Sequence, residues 1–130
     1  MKREVIRVEP LSTILERRKA PASVVVRHGD TIHVSGLPPF DLESGEIVDA
    51  PLERQTEIVL EQLKRCVEAA GSSLEKVLRC TVYCTSAEAF ATVNAIYARY
   101  FPKDPPARMY IPVPRWPFKF DIEIDCVAAV

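Results

Sequence analysis

Two segments near the C-terminus place charged side chains among apolar neighbours. Arg108 lies in the proline-rich stretch DPPARMYIPVPRWP, and Glu123 lies in the alternating stretch FDIEIDCVAAV. A planar guanidinium can hold a carboxylate through two parallel hydrogen bonds, and a carboxylate can position and deprotonate a water molecule. Considered alone, Arg108 is better explained by an ion pair with an acid of a neighbouring subunit, and Glu123 by solvation or a salt bridge.

Periodic patterns along the chain predict the elements that position these groups. Alternating or β-branched runs are typical of strands, and apolar residues at three- and four-residue spacing are typical of helices. The predicted order is β-β-β-α-β-α-β-β, with strands in residues 3–9, in the two runs of ASVVVRHGDTIHVSG, in residues 74–85, in ARMYIPV and in FKFDIEIDCVAAV. Residues 28–30 are predicted to form the turn of a hairpin between the two β-branched runs.

The two predicted helices cover residues 53–70 and 86–101. Gly71 is expected to end the first helix, and Ser86 is the expected N-cap of the second. The earlier segment LSTILERRKAP is predicted to be a polar connection, whose basic cluster Arg17 to Lys19 is either solvated or attracts anions. The residues expected on the buried sides are Val59, Leu60, Leu63, Cys66, Val67 and Ala70 in the first helix and Phe90, Val93, Ile96, Tyr97 and Tyr100 in the second.

This element order predicts an α+β fold with two layers, a mostly antiparallel sheet and two helices on one face. The last strand places Phe120, Ile122, Ile124 and Cys126 on one side and Asp121, Glu123 and Asp125 on the other. The apolar set belongs under the helices. Because the runs SVVV and TVYC are apolar on both sides, we expect self-association to cover part of the second sheet face.

The length and composition of the chain limit the classes of function that we expect for it. A chain of 130 residues is expected to form one domain over residues 1–130, and its net charge of −1 gives no electrostatic reason to expect nucleic acid as a partner. We expect neither a membrane partner nor a signal peptide, and therefore a cytoplasmic location. The four cysteines form no CxxC pair, which favours free thiols in the core over a zinc site.

Several motifs in order resemble the reactive-intermediate deaminase family, RidA/YjgF. They are HVSGLPPFDLESGEIV, QTEIVLEQLKRCVEAAGSSLEKVLRCTVYCT, FATVNAIYARYFPKDPPAR and DIEIDCVAA, and the resemblance extends from about Ala20 to the C-terminus. It implies a chorismate-mutase-like fold, a homotrimer whose sheets form a central barrel, and ligand clefts between subunits. Members of the family hydrolyse enamines and imines such as 2-aminoacrylate to 2-keto acids and ammonia, without a metal or an organic cofactor.

The resemblance also implies roles for individual residues. Arg108, in the Pro-Ala-Arg motif, corresponds to the arginine that binds the substrate carboxylate, and Glu123 corresponds to the glutamate that orients the water. Ser35 and Gly36 match the pair that lines the cleft, although a Ser-Gly after a strand could be an ordinary turn. Asn94 matches an asparagine of the second helix that serves either the substrate or the trimer contact.

The chain departs from the family pattern around this site. Ala22 replaces the usual tyrosine, Met109 and Tyr110 follow the arginine, and RWPFKF is unusually aromatic. Tyr110 shares a strand face with Arg108, so we expect its ring to contact substrate in the space that the missing tyrosine leaves. The aromatic residues at 116, 118 and 120 either lie close to the site or serve packing. The alternatives are a binding protein without catalysis, a deaminase of a larger unsaturated amine such as an aminomuconate, and a ribonuclease, which the net charge favours least.

Overall fold

Two sequence periodicities produce the two layers of the fold. A computed structural model describes residues 1–130. Its strands are β1 (Arg3–Ile6), β2 (Val25–His28), β3 (Thr31–Val34), β4 (Val77–Cys84), β5 (Ala107–Pro112) and β6 (Ile122–Ala129). Its α-helices are α1 (Leu11–Arg17), α2 (Leu52–Ala69) and α3 (Phe90–Tyr100). The α+β prediction is confirmed, with one helix more than expected.

The six strands form one sheet in the order β1-β2-β3-β6-β4-β5. All neighbouring strands are antiparallel except β4 and β5, which are parallel and are connected through α3. The predicted hairpin joins β2 to β3, and Gly29 adopts a φ of 61° in its turn, a conformation that costs glycine little. The expected mixed, mostly antiparallel sheet is therefore confirmed.

Helix α2 packs on β6 and β3, and its bounds match the predicted helix closely. Its end is a Schellman motif, in which the N–H groups of Gly71 and Ser72 donate to the carbonyls of Glu68 and Val67 at 3.1 and 2.8 Å. Gly71 has a φ of +83°, which explains why the periodic pattern stops there. All six residues predicted on the buried side of this helix are buried.

Two helix predictions were wrong in part. The segment assigned to a polar connection contains α1, a helix of only seven residues that buries Leu11, Ile14 and Leu15 at helical spacing. The second predicted helix begins at Phe90 rather than near Ser86, whose hydroxyl instead accepts a hydrogen bond from the Ala89 N–H in the preceding turn. Phe90 is 46% exposed, contrary to the prediction that it is buried.

The core lies between the sheet and α2. From Ile122 onward, strand β6 alternates as predicted, with Ile122, Ile124, Cys126 and Ala128 buried. Asp121, predicted to share the face of Glu123, instead precedes the strand and bonds to Gln55 of α2. All four cysteines are buried free thiols, and burial raises the pKa of Cys66 to about 12 and that of Cys80 to about 11. None of the helices combines the length and the apolar character needed to cross a membrane.

A buried glutamine attaches α2 to the start of β6. The amide nitrogen of Gln55 donates to the carboxylate of Asp121 at 2.9 Å and to the Ala50 carbonyl at 2.8 Å. Its amide oxygen accepts from the Asp121 N–H at 2.8 Å, and Thr85 donates to the other oxygen of the carboxylate at 2.9 Å. Asp121 therefore anchors the strand that contains Glu123.

We expect Gln55→Ala to destabilise the protein by about 2 kcal/mol, because the partly buried Asp121 N–H, one Asp121 carboxylate oxygen and the Ala50 carbonyl lose their hydrogen bonds to Gln55. The measurement is the urea midpoint at fixed protein concentration. Glu53→Gln, an exposed change on the same helix, is the control and should alter stability by less than about 0.5 kcal/mol. Equal midpoints for the two variants would contradict an anchoring role for Gln55.

Candidate functional site

The predicted site residues fall into two separate groups in the folded chain. Ser35, Gly36 and Glu123 meet where β3 ends beside β6. Arg108 and Tyr110 lie on β5, and their side chains contact α3, which also contains Asn94. Within one chain the two groups lie in different parts of the sheet.

The end of β3 is held by hydrogen bonds that shape the first group. The Ser35 N–H donates to the Val24 carbonyl at 2.9 Å, and the Ser35 hydroxyl donates to the Ser23 carbonyl at 2.6 Å. Gly36 then passes close to β6, where a β-carbon at this position would lie 3.0 Å from Oε1 of Glu123. The absence of a side chain at Gly36 therefore leaves space for the carboxylate of Glu123.

A cavity of about 640 Å³ opens beside these residues. Glu123 and Ala22 line it together with Phe118, which is 57% exposed. Its full lining is Leu15, Arg18, Ala20, Ala22, Ser35, Gly36, Leu37, Pro38, Phe40, Ile47, Phe118 and Glu123. Of the three aromatic residues expected near the site, Phe118 lines this cavity, whereas Trp116 stacks on the buried Phe120 at 4.4 Å.

Sequence reasoning missed several residues of this lining. Leu15 and Arg18 belong to α1 and its C-terminal cap, which were assigned to a polar connection. Phe40 is brought to the cavity by Gln62 of α2, whose amide oxygen accepts from the Phe40 N–H at 2.8 Å and whose nitrogen donates to the Pro38 carbonyl at 2.9 Å. The helical spacing of residues 11, 14 and 15 was the available signal for α1.

The carboxyl group of Glu123 is electrostatically unusual. Burial, followed by the nearby charge of Asp125, raises its pKa from 4.5 to about 7. Asp125 itself accepts a hydrogen bond from the Tyr83 hydroxyl at 3.3 Å. A carboxyl with a pKa near neutrality can accept and return a proton under ordinary conditions.

In the second group, Arg108 extends over two aromatic rings of α3. Its guanidinium carbon lies 4.9 Å from the ring centre of Tyr97 and 5.5 Å from that of Phe90. Such contacts are cation–π interactions, which hold a cation without neutralising it. The five ion pairs of the structure do not include Arg108, so its charge is available to an anion.

Tyr110 supports this group. Its hydroxyl donates to the Ser86 carbonyl at 2.7 Å, and its ring meets that of Phe90 edge-on at 5.1 Å. It does not line the cavity beside Ala22 in the same chain, where Phe118 supplies the aromatic wall instead.

On α3, Oδ1 of Asn94 is buried without a hydrogen-bond partner, so its acceptor capacity is unused.

Arg108 and Glu123 point to opposite faces of the sheet. Arg108 pairs with Cys80, and Cys80 pairs with Cys126, so these three side chains share the face that contacts the helices. Glu123 lies three residues before Cys126 on β6 and therefore points to the other face. Within one chain the two side chains therefore lie on opposite sides of the sheet.

A mostly antiparallel six-stranded sheet with helices against it, a guanidinium on its edge strand and a partly buried glutamate together define an α+β protein of the chorismate-mutase-like class. A family model described as Endoribonuclease L-PSP matches residues 17–130. The chain belongs to this family, which includes the RidA/YjgF proteins.

Relatives and solved structures support the same assignment. The chain is 32% identical to Reactive Intermediate Deaminase A, chloroplastic, of Arabidopsis thaliana, over 130 residues that cover 100% of this chain and 67% of the plant protein. The structure of YyfA of the Rid family from Yersinia pestis matches with a TM-score of 0.88 and 27% identity, covering 99% and 100% of the two chains. E. coli TdcF with bound serine matches with a TM-score of 0.79 and 32% identity, covering 85% and 89%.

The raised pKa of Glu123 predicts a pH-dependent stability. Between pH 4.5 and about 7 the folded chain retains a proton that the unfolded chain loses, so stability should fall as pH rises through this range. Glu123→Gln should lack this component and should therefore gain stability relative to the unmodified protein as pH rises from 5 to 8. Urea midpoints at both pH values measure the effect, with the exposed Glu46→Gln as the control. Parallel pH dependences for the unmodified protein and Glu123→Gln would contradict the raised pKa.

Proposed function

We propose that the chain hydrolyses reactive enamines and imines of 2-amino acids, such as 2-aminoacrylate and its imine tautomer, to 2-keto acids and ammonia. The observation that supports this most directly is the unpaired guanidinium of Arg108, held over Tyr97 and Phe90. Within a family that includes reactive-intermediate deaminases, a free guanidinium is suited to binding the carboxylate of such a substrate.

In the proposed reaction Arg108 binds the substrate carboxylate, and Glu123 activates a water molecule as a general base. Ionised Glu123 accepts a proton from the water as its oxygen adds to the imine carbon, and the imine nitrogen gains a proton, which gives a carbinolamine. The carbon–nitrogen bond then breaks, ammonia leaves, and the hydroxyl group becomes the keto oxygen as it loses its proton. Each proton taken by Glu123 is returned to nitrogen, so no cofactor is consumed.

We propose that the site forms between chains of a homotrimer, because Arg108 and Glu123 point to opposite sheet faces within one chain. Large apolar side chains on the face without helices support association, since Val5 is 52% exposed and Met109 is 49% exposed. Ser35, Gly36 and Glu123 of one chain would then meet Arg108, Tyr110 and Asn94 of its neighbour. The serine bound to the related E. coli TdcF is consistent with a small ligand that carries a carboxylate.

A larger substrate is the second candidate. The cavity of about 640 Å³ has Ala22 and Phe118 in its lining, so it has more room and more apolar surface than a three-carbon acid needs. A larger unsaturated amine such as an aminomuconate would use the same Arg108 and Glu123. Binding of small carboxylates without turnover is the non-catalytic alternative, and the turnover assays described below distinguish it from hydrolysis. The net charge of −1 disfavours RNA as a substrate.

We expect Arg108→Gln to lower kcat/KM for 2-aminoacrylate by about 100-fold, because it removes a charge-assisted, bidentate contact. Glu123→Gln should lower kcat by a factor of about 100 or more, because the general base is lost. The intermediate is generated by an amino-acid lyase, and its loss is followed with and without the protein. Arg54→Gln, an exposed change on α2, is the control. An unchanged rate in both site variants would refute the assignment.

A mixing experiment tests whether two chains build each site. If random trimers of Arg108→Ala and Glu123→Ala chains form from an equal mixture, about a quarter of the interfaces combine an intact Arg108 with an intact Glu123. Unfolding the two inactive variants together and refolding them should therefore restore about a quarter of the activity of the unmodified protein. Refolding each variant alone is the control. No recovery, despite mixed oligomers seen by mass spectrometry, would place both residues in a site within one chain and contradict the proposal.

A further inference from the structure

The cavity that contains Glu123 also contains a cation that the proposed reaction does not use. Arg18, the residue that caps the C-terminus of α1, lines this cavity. Its guanidinium carbon lies 5.4 Å from the ring centre of Phe40 and 5.5 Å from that of Phe118, and both rings line the same cavity. Two aromatic faces restrict this otherwise exposed side chain to the cavity wall.

The charge of Arg18 is not neutralised within the chain. Arg18 forms no ion pair, in contrast to Arg7, which lies 2.7 Å from Glu9 and 2.9 Å from Glu16. Glu123 does not pair with Arg18 either, and its pKa is set by burial and by Asp125. The cavity thus contains a guanidinium and a carboxyl group that remain separate.

The other residues that line the cavity indicate the chemistry of the part of a ligand that would lie between Glu123 and Arg18. Leu15, Leu37 and Ile47 contribute apolar surface to the cavity. A ligand that reaches from Glu123 to Arg18 would therefore need a hydrocarbon segment, followed by an anionic group that accepts hydrogen bonds from the guanidinium. A carboxylate at the end of a short aliphatic chain has this chemistry.

We propose that Arg18 binds a second carboxylate of the substrate, so that the protein prefers imino or enamino acids derived from acidic amino acids over those with neutral side chains. This inference rests on the proposed function only in taking the cavity as the substrate site. Arg108 of the neighbouring chain binds the carboxylate next to the reacting carbon, and Arg18 binds the distal one. Arg18 is then a specificity-determining residue.

The test compares two imines of similar size that amino-acid oxidases generate in place, one from glutamate and one from norleucine. We expect the ratio of kcat/KM for the glutamate imine to that for the norleucine imine to fall by about tenfold or more in Arg18→Gln. Phe118→Leu removes one of the two rings and should lower the ratio less. Arg17→Gln, an exposed change at the neighbouring position, is the control and should leave the ratio unchanged.

Binding measurements separate this inference from the proposed function. Calorimetry with 2-oxoglutarate and with 2-oxohexanoate should show tighter binding of the dicarboxylate, and Arg18→Gln should remove this difference. If no imine is hydrolysed but this dependence on Arg18 is found, the proposed function fails, and the binding of a second carboxylate by Arg18 stands. If both imines are hydrolysed and Arg18→Gln leaves the ratio and the binding unchanged, the inference is overturned. A variant that changes only the oligomeric mass in light scattering would assign Arg18 to a subunit contact and would also overturn it.

Discussion

The alternation of side chains along a pleated strand is the constraint on which the chemistry of this protein depends. Strand β5 pairs with β4, and β4 pairs with β6. Residues that pair across these strands point to the same face of the sheet, so the pairing determines the face on which each side chain lies. Arg108 shares its face with Cys80 and Cys126, whereas Glu123 lies on the other. Within one chain these two groups therefore point away from each other, and association becomes part of the catalytic proposal.

Helix α2 connects the stability of the core to the geometry of the cavity. Gln55 and Gln62 are buried on this helix, and both use their amide groups to hold loops rather than to pack. Gln55 fixes Asp121, two residues before Glu123, and Gln62 fixes Phe40, the ring beneath Arg18. The two charged groups of the cavity thus depend on amide groups of the same helix.

Regular patterns were sufficient to predict much of this fold. The spacing of apolar residues predicted α2, and strict alternation predicted which side chains of β6 are buried. Helix α1 was missed because seven residues with three buried aliphatic side chains provide little periodic signal. The neighbours of Arg18 and Phe118 could not be predicted, since they come from distant parts of the chain. The proposed meeting of Arg108 with Glu123 involves a second chain, about which one sequence contains no direct information.

The buried cysteines have a consequence for a protein proposed to process electrophiles. Thiolates are the sulfur species that attack electrophilic carbon, and burial keeps Cys66 and Cys80 in the neutral, poorly nucleophilic form. The side chains that line the cavity beside Glu123 include no cysteine and no methionine. Under the proposed function, neutral buried thiols are poor targets for the imines that the protein would hydrolyse.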